Sequence, residues 1–343
     1  MKPPGTYLRG NVLPTVVVVS VVMLTTLLGL VMLWEQESLL FARSRRLRQA
    51  RADVESAYAL WRLHPDNDAL TASDGFRLCD SLPQSRVFVG AEPWGLYEAV
   101  RVRTADSLIT TCRLYGAEPD ASNTLFYADN RSAVTLAGQT LLQGALRLPQ
   151  NGVVYGRVGS DFYRGPQLLR TAILRSESRL PEPDAEVLRR VAALFTPLGR
   201  SSDALPDSLS CSFRCDSAAV FRLGNAEVGD CALRGRVVLY ADCLRIDSTC
   251  HMEHLLVVAR KITVGSGARI AAQLFACDTL VVEPRAVLEY PSGIYAQQYA
   301  EVGDRAEVNG YAVVCDTVRR KKITANYRQS RTARLRGLVW VNG

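Results

Sequence analysis

A repeat of eighteen residues in the last third of the chain constrains the fold most. Val238–Asp247 (VLYADCLRID), Leu256–Gly265 (LVVARKITVG) and Leu274–Glu283 (LFACDTLVVE) each begin eighteen residues after the last. Within that frame a period of six carries paired apolar positions: Val238/Tyr240, Leu244/Ile246, Cys250/Met252, Leu256/Val258, Ile262/Val264, Ala268/Ile270, Leu274/Ala276, Leu280/Val282 and Ala286/Leu288. Residues two apart on a strand share a face, so each pair is two inward side chains on one short strand. Three such sides make a triangular coil. The expected fold is therefore a β-solenoid, in which each coil buries its apolar face only against its neighbours.

The frame slips by two at Tyr290-Pro291-Ser292-Gly293. It then resumes with Ile294/Ala296, Ala300/Val302, Ala306/Val308 and Ala312/Val314. Gly and Asp gather at the intervening corners, where positive φ is needed. Over about residues 220–315 this spacing resembles bactofilins and left-handed hexapeptide β-helices. The first resemblance implies a polymer-forming bacterial scaffold. The second brings in acyltransferases, which depend on a catalytic histidine. Here the solenoid's histidines, His251 and His254, fall at a turn.

The opposite end of the chain has a different character. No charge lies between Arg9 and Glu35, and Val12 to Trp34 spans roughly 34 Å as a helix, enough for a hydrocarbon core of about 30 Å. It runs into Glu35-Gln36-Glu37 without a cleavage site, so a membrane anchor is expected in place of a secretory signal. Glu35 to Leu63 holds neither Gly nor Pro, and Pro65 ends the helix. Leu40, Leu47, Val54 and Trp61, with Ala50 and Ala57, form an apolar stripe. Either the protein's own soluble domain or a neighbouring subunit's helix must bury it.

The basic leader, Arg9-Gly10, the apolar run and the continuation through Glu55-Ser56-Ala57 resemble the N-terminus of type IV pilins and pseudopilins, the minor type most closely. That resemblance covers about residues 1–63. It implies cleavage after Gly10, leaving Asn11 first, and export of the rest. Thr15 stands where the family usually has glutamate, and an uncut signal anchor accounts for the same residues. Arg43, Arg45, Arg46, Arg48 and Arg51 favour the opposite orientation by the positive-inside rule. The reading adopted is a single-pass inner-membrane protein with its bulk outside the cytoplasm.

Between these ends, residues 66–200 read as β-rich. Strand-like runs cover 86–90, 95–103, 107–115, 125–128 and 134–148, and glycines recur as if an irregular coil already begins near Val134. Pro181-Glu182-Pro183-Asp184 followed by Ala185–Phe195 reads as a capped helix, with acidic residues in its first turn and Leu188, Val191, Ala192 and Phe195 on one face. The expected divisions are 1–34 (leader and membrane helix), 35–65 (helical stalk), 66–200 (β-rich middle) and 201–343 (solenoid with a basic edge).

No Walker loop, GxGxxG, GxSxG or HExxH is present, which removes the familiar kinase, dehydrogenase and hydrolase classes. Nine cysteines leave one unpaired whatever the compartment; among Cys211, Cys215, Cys231 and Cys243 a disulfide is open if the domain is exported, while Cys250 takes an inward slot where a free cysteine packs as a small hydrophobe. Cys250-His251-Met252-Glu253-His254 is the densest group of ligand types, yet reads as ordinary surface, and no metal or cofactor is expected. Asp242, Arg260 and Asp278 would stack as a charge ladder, the one arrangement a carbohydrate-active β-helix enzyme could use.

The net charge of +7 is concentrated at the C-terminus, where Arg319, Arg320, Lys321, Lys322, Arg328, Arg331, Arg334 and Arg336 lie among no acids. An anionic glycan or lipid suits such a patch. Nucleic acid does not, because Tyr327 and Trp340 are the only stacking residues nearby. The chain stops within an apolar run, Leu338–Val341, which reads as a truncated product or an end where another chain docks. The expected role is non-enzymatic: a structural component of the bacterial envelope assembling through the stalk or the solenoid end.

Overall fold

A computed structural model of the chain describes residues 12–65, 67–79, 85–116, 124–165, 173–196, 203–215, 217–315 and 326–342. The protein is mainly β, with a long N-terminal apolar helix and about nine turns of β-solenoid. It divides into two compact units: 1–91 with 100–112, and 92–99 with 113–343.

The first unit is dominated by helix α1, Val12–Leu63. Pro14 sits in its first turn, where no intrahelical donor is required. The helix ends just before Pro65, as expected. Every large apolar side chain from Leu13 to Phe41 is exposed, and this stretch is long and apolar enough to cross a membrane. Beyond it the exposure reverses. Ala50, Val54, Ala57, Tyr58 and Trp61 are buried, while Leu40 is 65% exposed. The C-terminal part of the stripe is thus covered by the unit's own β-strands. The Tyr58 hydroxyl donates to the Val100 carbonyl (3.3 Å) and lies 2.9 Å from Thr111 Oγ1. Strand residues Val87, Val89, Val100 and Val102 supply the facing core, alternating as one side of a pleated sheet requires.

The second unit holds the coils. Parallel strands stack in the order Ser208–Cys211, Ala232–Gly235, His251–Val264, Arg269–Val282, Val287–Ala296, Glu307–Cys315, Arg334–Asn342. Coil length averages about 19 residues, not 18. Val238 pairs with Leu256, eighteen on, but Leu274 pairs with Ile294 and Ala312 with Val339. The Tyr290–Gly293 cluster produces the first lengthening, as the slip in the sequence indicated. Gly310 and Gly337 stack in register at a corner with φ of +144° and +140°. A Cβ at either position would lie within 2 Å of the carbonyl oxygen of the preceding coil, so only glycine lets the coils approach there.

One continuous apolar column fills the bore. It contains Leu244, Ile246, Ile262, Val264, Ala268, Ile270, Leu274, Ala276, Leu280 and Val282, as expected. Two expected pairs are corrected. Val238/Tyr240 and Leu256/Val258 point outward, and the bore instead takes Val237/Leu239/Ala241 and Leu255/Val257/Ala259. Both sides of these strands are buried, so the apolar run is continuous and its phase cannot be read from alternation. A register shift between Glu253 and Leu255 changes the phase further.

Parallel coiling begins at Leu125, somewhat before Val134. Leu125 pairs with Leu146, Leu146 with Ile173, and Val134 with Val153, around a small core of Leu136, Leu146 and Leu148. Helix α2, Ala185–Phe195, is capped by Asp184, whose carboxylate accepts from the Glu186 N–H at 2.8 Å. Val191 is buried, and Leu188 and Phe195 are half-buried. Ala192, expected on the same face, is exposed.

Candidate interaction surfaces

The outer surface of the solenoid contrasts one covered side with two solvent-facing ones. On the covered side, outward side chains Val238, Tyr240, Leu256, Val258, Gln273, Phe275, Tyr295 and Tyr311 are buried. Residues 92–99, the end of a β-hairpin, lie over this face. Trp94 Nε1 donates to the His254 carbonyl (3.0 Å), and Tyr97 Oη donates to the Ser292 carbonyl (3.2 Å). Gln273 is the centre of the polar contacts: its amide donates to the Trp94 carbonyl (2.8 Å), and its Oε1 accepts from the Leu96 N–H (2.9 Å) and the Tyr311 hydroxyl (2.8 Å). Burial pushes Tyr97 up to about 12 and Tyr311 well above the ordinary phenol range. Phe195 of α2 packs on Tyr295, with ring centroids 6.2 Å apart. Sequence alone does not reveal Gln273, because two of its three partners lie nearly 180 residues away. The unbroken apolar run Val237–Ala241 was the available sign that something covers this face.

The remaining two sides of the coil carry ion pairs between coils. Arg260 binds Asp242 with both guanidinium and carboxylate engaged, at 2.8 and 3.1 Å. Arg245 does the same with Glu283, at 2.6 and 3.0 Å, and Arg234 pairs with Glu253 at 2.7 Å. The predicted ladder is formed between Asp242 and Arg260. A register shift between Ala259 and Lys261 interrupts it, and Asp278 makes no ion pair among the described residues.

The ligand-type cluster is dispersed. Cys250 and Met252 face the bore, His251 and Glu253 face solvent, and His254 turns at φ +65°. Burial holds the His254 imidazole below its ordinary value. No group of three or more metal-ligating side chains converges among the described residues. A cleft of about 280 Å³ is lined by Phe126, Arg147, Glu177, Arg179, Leu180 and Pro181, with a single carboxylate.

The proposed processing pair, Gly10 and Asn11, lies outside the described residues, as do Arg319, Arg320, Lys321 and Lys322 of the basic patch. Of the remaining four, Arg328 reaches Glu301 (3.7 Å), Arg334 reaches Glu307 (3.7 Å) and Arg331 reaches Asp161 (3.5 Å). Only Arg336 has no acidic partner among the described residues. The run is free of acids in sequence but not in space. Tyr327 is half-buried against the bore, and burial pushes its hydroxyl up to about 12. The strand Arg334–Asn342 pairs on one side with Glu307–Cys315 and leaves Leu338 and Val339 about half exposed.

No protein-family model matches this chain, and neither a curated protein nor a solved structure matches it.

Proposed function

We propose that the protein is a non-enzymatic assembly component of the bacterial cell envelope, anchored in the inner membrane by α1 and acting as a minor pilin-like or surface scaffold. The observation that carries this reading is the state of the solenoid's outer polar groups. Arg245, Arg260, Asp242 and Glu283 are engaged with one another between coils, which suits a rigid scaffold more than a site awaiting substrate. The bulk of the chain is placed outside the cytoplasm, following the pilin resemblance.

A second reading, a membrane-anchored bactofilin-like scaffold inside the cytoplasm, draws on the arginines from Arg43 to Arg51. Fusions after Arg200 separate the two. Alkaline phosphatase is expected to be active at that junction and green fluorescent protein dark. The reverse result excludes the export reading and leaves the cytoplasmic scaffold.

A further inference from the structure

Cys231 and Cys250 occupy equivalent corners of consecutive coils, each one residue before the paired positions Ala232 and His251. The His251 N–H donates to the Cys231 carbonyl at 2.8 Å, which holds the two backbones together at this point. Neighbouring strands lie about 4.8 Å apart, inside the ~4.4–6.8 Å Cα separation that a disulfide tolerates. Both side chains turn into the bore, with their sulfurs 3.1 Å apart. Cys250 is fully buried and Cys231 is 6% exposed. Cys211 and Cys243, by contrast, are half-buried, and Cys215 is exposed.

We propose that Cys231 and Cys250 form a disulfide that staples two consecutive coils when the chain folds in the presence of a low-molecular-weight disulfide. The thiolate of Cys231 attacks the oxidant's sulfur–sulfur bond and releases one thiol. The thiolate of Cys250 then attacks Cys231 in the mixed disulfide and releases the second. Two protein thiols lose two protons and two electrons, and the oxidant's disulfide is reduced to two thiols. Burial and the contact with Cys231 hold the Cys250 thiol well above its ordinary range, which makes it the resolving partner. The inference holds for either membrane orientation; only the supply of oxidant differs.

The test uses the full chain synthesised cell-free into lipid nanodiscs in a glutathione redox buffer, then blocked with N-ethylmaleimide and digested with trypsin. The fragments Leu223–Arg234 and Ile246–Arg260 each carry one cysteine. They are expected as one linked species, lighter than their sum by two hydrogens and separated by reductant. The linked protein should melt roughly 5–10 °C above the reduced one, because one coil's loop is closed in the unfolded chain. The Cys250→Ser variant should accumulate a glutathione adduct on Cys231, and Cys243→Ser should leave the link intact. Recovery of both fragments alkylated, or Cys231 linked to another cysteine, overturns the proposal.

Discussion

On the covered face of the solenoid, every side chain from Val237 to Ala241 is buried; around the corner, Leu244 and Ile246 are buried and Arg245 between them is exposed. The backbone is the same and the coils are the same. The difference is what lies outside. Where only the bore removes side chains from water, alternation survives and fixes the phase of the strand. Where residues 92–99 also cover the strand, both sets of side chains become apolar and the phase is lost. A broken alternation therefore signals an additional layer, not a failed strand.

The sharpest way to break this comparison is at two adjacent positions on one strand. Leu274 faces the bore and Phe275 faces outward, and both are fully buried. Leu274→Ala should cost about 2–5 kcal/mol and Phe275→Ala about 3–5 kcal/mol, as for any large side chain removed from a packed interior. Thermal or denaturant melting reads both. A cost under about 1 kcal/mol for Phe275→Ala would mean that the outer face is not packed.

A somewhat smaller effect is expected at Gln273. Replacement by Ala leaves the Leu96 N–H, the Trp94 carbonyl and the Tyr311 hydroxyl without their partner. The expected cost is about 2–4 kcal/mol. Hydrogen exchange should show loss of protection confined to residues 92–99, and unchanged protection there would remove Gln273 from its central role.

The smallest effect belongs to the charged face. The Arg245 guanidinium, followed by the Ser266 N–H, holds the Glu283 carboxyl below its ordinary value. A group with a depressed folded pKa binds its proton less readily in the folded state, so its contribution is present at neutral pH and is lost as pH falls through the folded value. Arg245 is 43% exposed, and the contribution should stay under about 1 kcal/mol. Arg245→Ala should flatten the acid limb of stability against pH. An identical limb in the variant would show that this pair contributes nothing.

Much of this architecture is legible in the sequence. Ile262/Val264 and Ala268/Ile270 are legible as bore pairs because the polar Thr263 and Arg269 between them set the phase. The stripe through Val54 and Trp61 marked the buried side of α1. Leu256 was misassigned because Leu255–Ala259 contains no polar residue to set a phase. Tyr58 and Gln273 were illegible because their roles rest on partners distant in sequence. The ion pairs of the basic run are illegible in sequence because Glu301, Glu307 and Asp161 come from other coils. Local pattern reports which side of a strand is greasy; it does not report what chain passes over it.

Coil length varies while the pairs in the bore stay in step: eighteen residues separate Leu244 from Ile262, and twenty-seven separate Val308 from Leu335. The solenoid therefore measures its height in windings, each adding about 4.8 Å whatever its residue count. Extra residues at a vertex widen the silhouette without lengthening the rod. Such a ruler accepts ornament at its vertices freely and changes reach only by whole steps.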